Sequence, residues 1–151
     1  MLAVMKILVY LGFLVLGILA ARGALWAYIT FVVLGLLYFP ASVGFHLHPQ
    51  PCEGLPSLSM AMYSFGNYPH IVLFVLFFIM TSAQFNMSRW SGFAWAAAAC
   101  IAMGILVEVS EGIAGVHHCR SRDLIPDSAG ILIGAAIVFM WTTMRTKRAT
   151  A

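Results

Sequence analysis

Charged side chains are scarce in this sequence: Asp, Glu, Lys and Arg together make up 9% of its 151 residues. A soluble domain carries about a quarter charged residues. With a mean hydropathy of +0.96, a chain of this length has more apolar surface than one water-soluble core can hide, so lipid must take part of it. Cysteine is sparse as well. Cys52, Cys100 and Cys119 form no Cys-x-x-Cys pair, and no closed zinc signature is present. A serine nucleophile elbow, a His-Glu-x-x-His helix and a phosphate-binding glycine loop are also missing, which removes the commonest motif-borne routes to hydrolase and nucleotide chemistry. No internal repeat speaks for a duplicated transporter. The net charge is +3, but the basic residues are scattered or flank apolar runs, which does not fit a nucleic-acid surface.

What the sequence does have is apolar runs of membrane length. A spanning helix needs about 20 mostly apolar residues. Five runs qualify or come close: Ala3 to Ala20, Ala24 to Phe39 (ending at Pro40), Ile71 to Phe85, Phe93 to Val109, and Asp127 to Met144. The expected fold is all-α, a polytopic transmembrane bundle of four to five helices in a single domain over 1–151. Its parts are an N-terminal hairpin or long helix over 3–39, an extracytoplasmic loop over 41–69 and a three-helix region over 70–144. The last three runs are the better defined. Only Ala21-Arg22-Gly23 separates the first two. They form a tight hairpin, or one long bent helix, or begin with a cleaved signal peptide, since Lys6 precedes an apolar stretch that ends in small residues. Their lengths favour the hairpin.

Lys and Arg in short loops set orientation. Arg145, Lys147 and Arg148 put the C-terminus in the cytoplasm, and alternation places Arg89 and Arg22 there too. All five acids (Glu53, Glu108, Glu111, Asp123 and Asp127) then fall on or near the outer side. Trp26, Trp90 and Trp141 lie near span ends, where amphipathic rings act as interfacial anchors. The expected location is a bacterial inner membrane.

Two outer segments carry the polar chemistry. The first holds Pro49, Pro51, Pro56 and Pro69, so ordered loop or short turns are expected there, with a short interfacial helix near Met60 to Tyr63. It also holds His46, His48 and Cys52. The second holds His117, His118 and Cys119. In an oxidising compartment Cys52 and Cys119 either pair, stay free or ligate a metal. The four histidines are ligand types for zinc or copper, but their spacing matches no closed site, and each also reads as a polar loop group, His117 and His118 at the lipid headgroups. His70 caps the third run or joins the polar cluster. Cys100, in an alanine-rich run, reads as inert packing.

The segment from Gly104 to Gly134 is the most specific. Glu108 and Glu111 are three apart and share a helix face. An ionised carboxylate in hydrocarbon is costly, so such residues usually face the bundle interior and find partners. Asp127 opens the antiparallel fifth run, and Arg120 and Arg122 leave the loop between. Arginine clamps a carboxylate through two parallel bonds, so a Glu108–Arg122–Asp127 network is expected at one mouth. Gly130 and Gly134, four apart, should pack the fifth run closely on the alanine-rich fourth.

This pattern resembles the VanZ-like family of small bacterial membrane proteins. The family's mark is a glutamate late in one span, here Glu108, with Glu111 where Gln is usual. An arginine loop follows, here Arg120 or Arg122. The next helix then opens as Asp123-Leu-Ile-Pro-Asp127-Ser-Ala-Gly130-Ile-Leu-Ile-Gly134. Before the third span the family's Asp-Lys-x-x-His is reduced to His70. The resemblance covers about the last third of the chain and implies a cell-envelope membrane protein. The expected function is a non-enzymatic binder of a polar lipid or lipid-linked ligand through Glu108, Glu111, Arg120, Arg122, Asp123, Asp127 and His70. The alternatives are a small accessory subunit of a larger membrane complex, and an intramembrane metal-dependent hydrolase.

Overall fold

The structure, a computed structural model, describes residues 2–41, 49, 51–54, 56–114 and 119–149. Among the described residues it is all-helical. Six α-helices run in the order α1 (Leu2–Ala21), α2 (Leu25–Ala41), α3 (Leu58–Ser64), α4 (Tyr68–Ser82), α5 (Trp90–Ala114) and α6 (Leu124–Ala149). A single 3₁₀ turn, Ser121–Asp123, leads into α6. Three segments are long and apolar enough to cross a membrane: Val4–Ala21, Trp90–Ala114 and Ser121–Arg148. The protein is therefore read as a membrane protein.

The third apolar run departs from expectation. Its helix, α4, has 15 residues, about 22 Å at 1.5 Å per residue, against a hydrocarbon core of about 30 Å. Pro69 lies in its first turn, where a missing N–H costs nothing. Its far end stops at Ser82 because Gln84 turns back, its Nε2 donating to the carbonyl oxygens of Ala20 (2.7 Å) and Met80 (3.3 Å). Only together with α3, across a bend of 73°, does α4 reach spanning length. The short helix expected at Met60 to Tyr63 is α3, capped by Ser57, whose Oγ accepts the Met60 N–H.

The N-terminal helices reverse direction at Arg22–Ala24. Gly23 has φ +88°, the left-handed region that ends many helices, and the Ala24 N–H donates back to the Leu19 carbonyl. The two helices then lie side by side, with Phe13 edge-on to Phe31 at 5.4 Å.

The core lies where α4 meets α5, α6 and the hairpin. Phe74, Phe77, Phe78 and Met80 of α4 pack with Ala96 and Cys100 of α5 and Ile131 and Val138 of α6. Thr81 is fully buried and donates to the Tyr28 hydroxyl at 3.1 Å. Cys100 is a free, buried thiol within this packing.

The glycine surface of α6 does not meet α5, as the small residues of both suggested; it meets α4. A β-carbon at Gly130 would lie 2.5 Å from the Ile71 carbonyl oxygen and 2.8 Å from Phe74 Cβ. One at Gly134 would lie 2.8 Å from Phe78 Cβ and 3.1 Å from the Val75 carbonyl oxygen. Backbones can come this close in a membrane only where small residues allow it. The α5 helix contributes its own small residue higher up: Gly104 lets Asp127 Oδ2 and Phe74 approach. Gly130→Ala and Gly134→Ala are each expected to destabilise the protein by about 1–3 kcal/mol through overpacking, read as a lower unfolding temperature in detergent. Gly12→Ala on α1, where nothing lies within 4 Å, should leave that temperature unchanged.

Candidate functional site

At one end of the bundle the chain gathers the polar residues it keeps elsewhere to a minimum. Glu108, Asp123 and Asp127 are buried, at 4%, 9% and 3% exposure. They come from the last two turns of α5, the 3₁₀ turn and the first turn of α6. His70 arrives from the first turn of α4, and its Nδ1 lies 2.8 Å from Asp127 Oδ1. A carboxylate accepts from Nδ1–H, which fixes the ring orientation and leaves Nε2 as the group offered outward. The other carboxylate oxygen, Oδ2, faces Gly104, where a β-carbon would lie 3.0 Å away. Asp127 is thus held between α4 and α5 with little freedom.

Glu108 is satisfied differently. Its Oε2 accepts the backbone N–H of Arg120 at 2.6 Å, a charge-assisted bond that ties the loop to α5. The Arg120 side chain is half-buried, and its Nε is shielded from solvent with no hydrogen-bond partner. Arg122 leaves the cluster, its Nε 3.7 Å from Glu53 Oε2. The expected Glu108–Arg122–Asp127 network is therefore not formed. Glu108 takes a main-chain donor, Asp127 takes a histidine, and Arg122 pairs with an acid of the first loop. The reason is that both carboxylates are already met, Glu108 by the Arg120 N–H and Asp127 by His70, while Glu53, beside the half-cystine Cys52, lies within reach of Arg122.

The segment between α2 and α3 is laced onto this mouth. Cys52 and Cys119 form a disulfide, 67 residues apart in sequence. Beside it the Glu53 N–H donates to the Cys119 carbonyl at 2.9 Å, and Ser121 Oγ donates to the Gly54 carbonyl at 2.6 Å. Residues 52–54 thus run along 119–122 with four contacts of different kinds. Gly54 and Ser121 escaped sequence reasoning, and Glu53 was grouped there with the acids but given no role; the signal that points to all three is adjacency to the two half-cystines.

Among the named residues, the structure brings together His70, Glu108, Arg120, Asp123 and Asp127. Glu111 lies one turn beyond Glu108 on the same helix, half-buried. His46, His48, His117 and His118 lie outside the described residues. Among the described residues no group of three or more His, Cys, Asp or Glu is arranged to hold a metal ion. The assembly can accept hydrogen bonds at carboxylate oxygens, exchange a proton at His70 Nε2 and attract an anion at Arg120. In comparisons with known proteins the chain matches no family model, no curated protein and no solved structure.

The disulfide makes a countable expectation. Denatured without reductant, the protein should take one maleimide-polyethylene-glycol adduct, at Cys100. After reduction it should take three. Cys52→Ser with Cys119→Ser is expected to cost about 2–4 kcal/mol, because the loop is then joined to the mouth only by hydrogen bonds and the partly exposed Arg122–Glu53 pair.

Proposed function

We propose that this chain is a VanZ-like integral membrane protein of the bacterial cell envelope, non-enzymatic, whose polar mouth binds the headgroup of a polar lipid or lipid-linked ligand. In this reading α2 and the bent α3–α4 pair complete a bundle of four to five spans with the three long helices. The C-terminus is cytoplasmic and the mouth extracytoplasmic, which would expose Cys52 and Cys119 to an oxidising compartment.

One observation carries the reading: groups from α4, α5 and the start of α6 converge on one buried spot while one of them, His70, stays partly open. The His70 side chain is 28% exposed against 5% for its partner Asp127. A purely structural ion pair gains nothing from leaving its imidazole accessible. The resemblance in the motif Glu108, Arg120 or Arg122, Asp123, Asp127, Gly130 and Gly134 supports the same reading. Buried, oriented acceptors beside an arginine suit a headgroup that carries both hydroxyl or amine donors and an anionic group.

A second reading, a small accessory subunit of a larger membrane complex, has its own support. Only 6% of the α1 span is buried within the chain, so a partner helix has a face to cover. It predicts co-purification with one other protein at constant ratio in mild detergent. The metal-dependent hydrolase alternative would rest on His46, His48, His117 and His118, which lie outside the described residues.

The test is native mass spectrometry of the untagged protein extracted gently from its own membrane. The wild-type chain should retain lipid adducts. Glu108→Gln and Asp127→Asn should each weaken retention about tenfold, the loss of one hydrogen bond to a charged group, with the disulfide still formed. Unchanged adducts in both variants would sink the proposal.

A further inference from the structure

The opposite end of the bundle has a different character. The chain direction of the helices puts the α1–α2 turn, the α4–α5 loop and the end of α6 together there. Arg22, Arg89, Arg145, Lys147 and Arg148 lie at this end, and all five acids of the sequence lie in or beside the segments of the other. This end therefore carries basic side chains and no Asp or Glu.

A surface cavity of about 320 Å³ opens here between the start of α5 and the last turns of α6. Its apolar wall is an aromatic cluster. Trp90 stacks on Phe139 at 5.8 Å, Phe93 meets Trp90 at 5.9 Å, and Phe93 meets Phe139 edge-on at 6.3 Å. Trp90 is 77% exposed, an unfavourable setting in water and a favourable one at the membrane interface. The polar wall has little left to offer. Thr142 and Thr143 both donate to the Phe139 carbonyl, and Ser88 donates to Asn86 Oδ1 at 2.6 Å. Such hydroxyls turn only their lone pairs outward. Arg89 is the one charged residue of the lining and has donors to spare: among the described residues its guanidinium forms no ion pair and its only hydrogen bond is made by its backbone N–H.

We propose that this cavity is a binding site for an anionic phospholipid. The Arg89 guanidinium takes the phosphate through paired N–H donors, and the first methylenes of an acyl chain lie along Trp90, Phe93 and Phe139. Charge complementarity selects the occupant. A zwitterionic lipid would bring its cationic headgroup to the end where Arg22, Arg89, Arg145 and Arg148 already gather. A free phosphate ion would leave the aromatic wall bare. The site shares no residue with the mouth and does not depend on the function proposed for it.

The test uses Trp90 as its own reporter. In full-length protein carrying Trp26→Phe, Trp95→Phe and Trp141→Phe, reconstituted in zwitterionic vesicles, dibrominated phosphatidylglycerol should quench Trp90 saturably. Its preference over dibrominated phosphatidylcholine should be about tenfold, the scale of one charge-assisted contact. Arg89→Gln should reduce that preference to about twofold or less, and inorganic phosphate at equal concentration should not compete. Equal quenching by both lipids, or an Arg89→Gln variant as selective as its parent, would overturn the proposal. So would competition by free phosphate, which would make the site an ion site. If the triple variant does not fold, the same question is read on the otherwise unchanged chain. Native mass spectrometry should then show one more retained phosphatidylglycerol in wild type than in Arg89→Gln; equal numbers would refute the site.

Discussion

Two glycines let the backbone of α6 rest on that of α4, and the polar end of the molecule depends on this approach. Gly130 lies one turn beyond Asp127 and meets the carbonyl of Ile71, the neighbour of His70. The contact that brings the helices together therefore also sets the 2.8 Å separation of His70 and Asp127. A larger residue at Gly130 would move the helices apart and leave a buried carboxylate without its donor, a far greater cost than a lost surface pair. Packing and polar chemistry are here one constraint, which explains why the helix with the glycines opens with the acid.

A second closure works from outside. The disulfide and the contacts beside it hold residues 52–54 along 119–122. The residue after Cys119 gives its backbone N–H to Glu108. Fixing Cys119 thus fixes the donor that satisfies a carboxylate buried in α5. The Arg122–Glu53 pair, at 3.7 Å and partly exposed, adds little energy of its own; its effect is to draw the Arg122 guanidinium away from the mouth, so that Arg120 is the arginine left inside.

The two ends of the bundle divide the chemistry between them. One collects the Asp and Glu side chains, the disulfide and an oriented imidazole. The other collects cations and aromatic rings. A low-dielectric bundle keeps such groups apart, because moving any of them toward the middle would strand a charge in hydrocarbon. The polarity of the molecule follows directly from where its few charges can be tolerated.

By itself the sequence determined the helices and the ends at which charge would collect. Apolar runs leave no alternative to helix in lipid, since every backbone group must be bonded within its own segment. The short break Ala21-Arg22-Gly23 between two runs of near-spanning length made a reversal legible, and Glu108, Asp123, Asp127 and the arginines marked the mouth. The length of α4 was not legible, because the apolar run continues to Phe85 while Gln84 bonds to another helix and ends it at Ser82. Nor were the pairings. His70 and Asp127 are 57 residues apart, and their meeting depends on the rotation of α4 and α6 about their own axes, set by which face of α6 carries glycine and which face of α4 accepts it. The choice of Glu53 for Arg122, of a main-chain donor for Glu108 and of α4 as the glycine partner was likewise made by tertiary packing, because each turns on close contact between segments whose relative placement the order of residues leaves free.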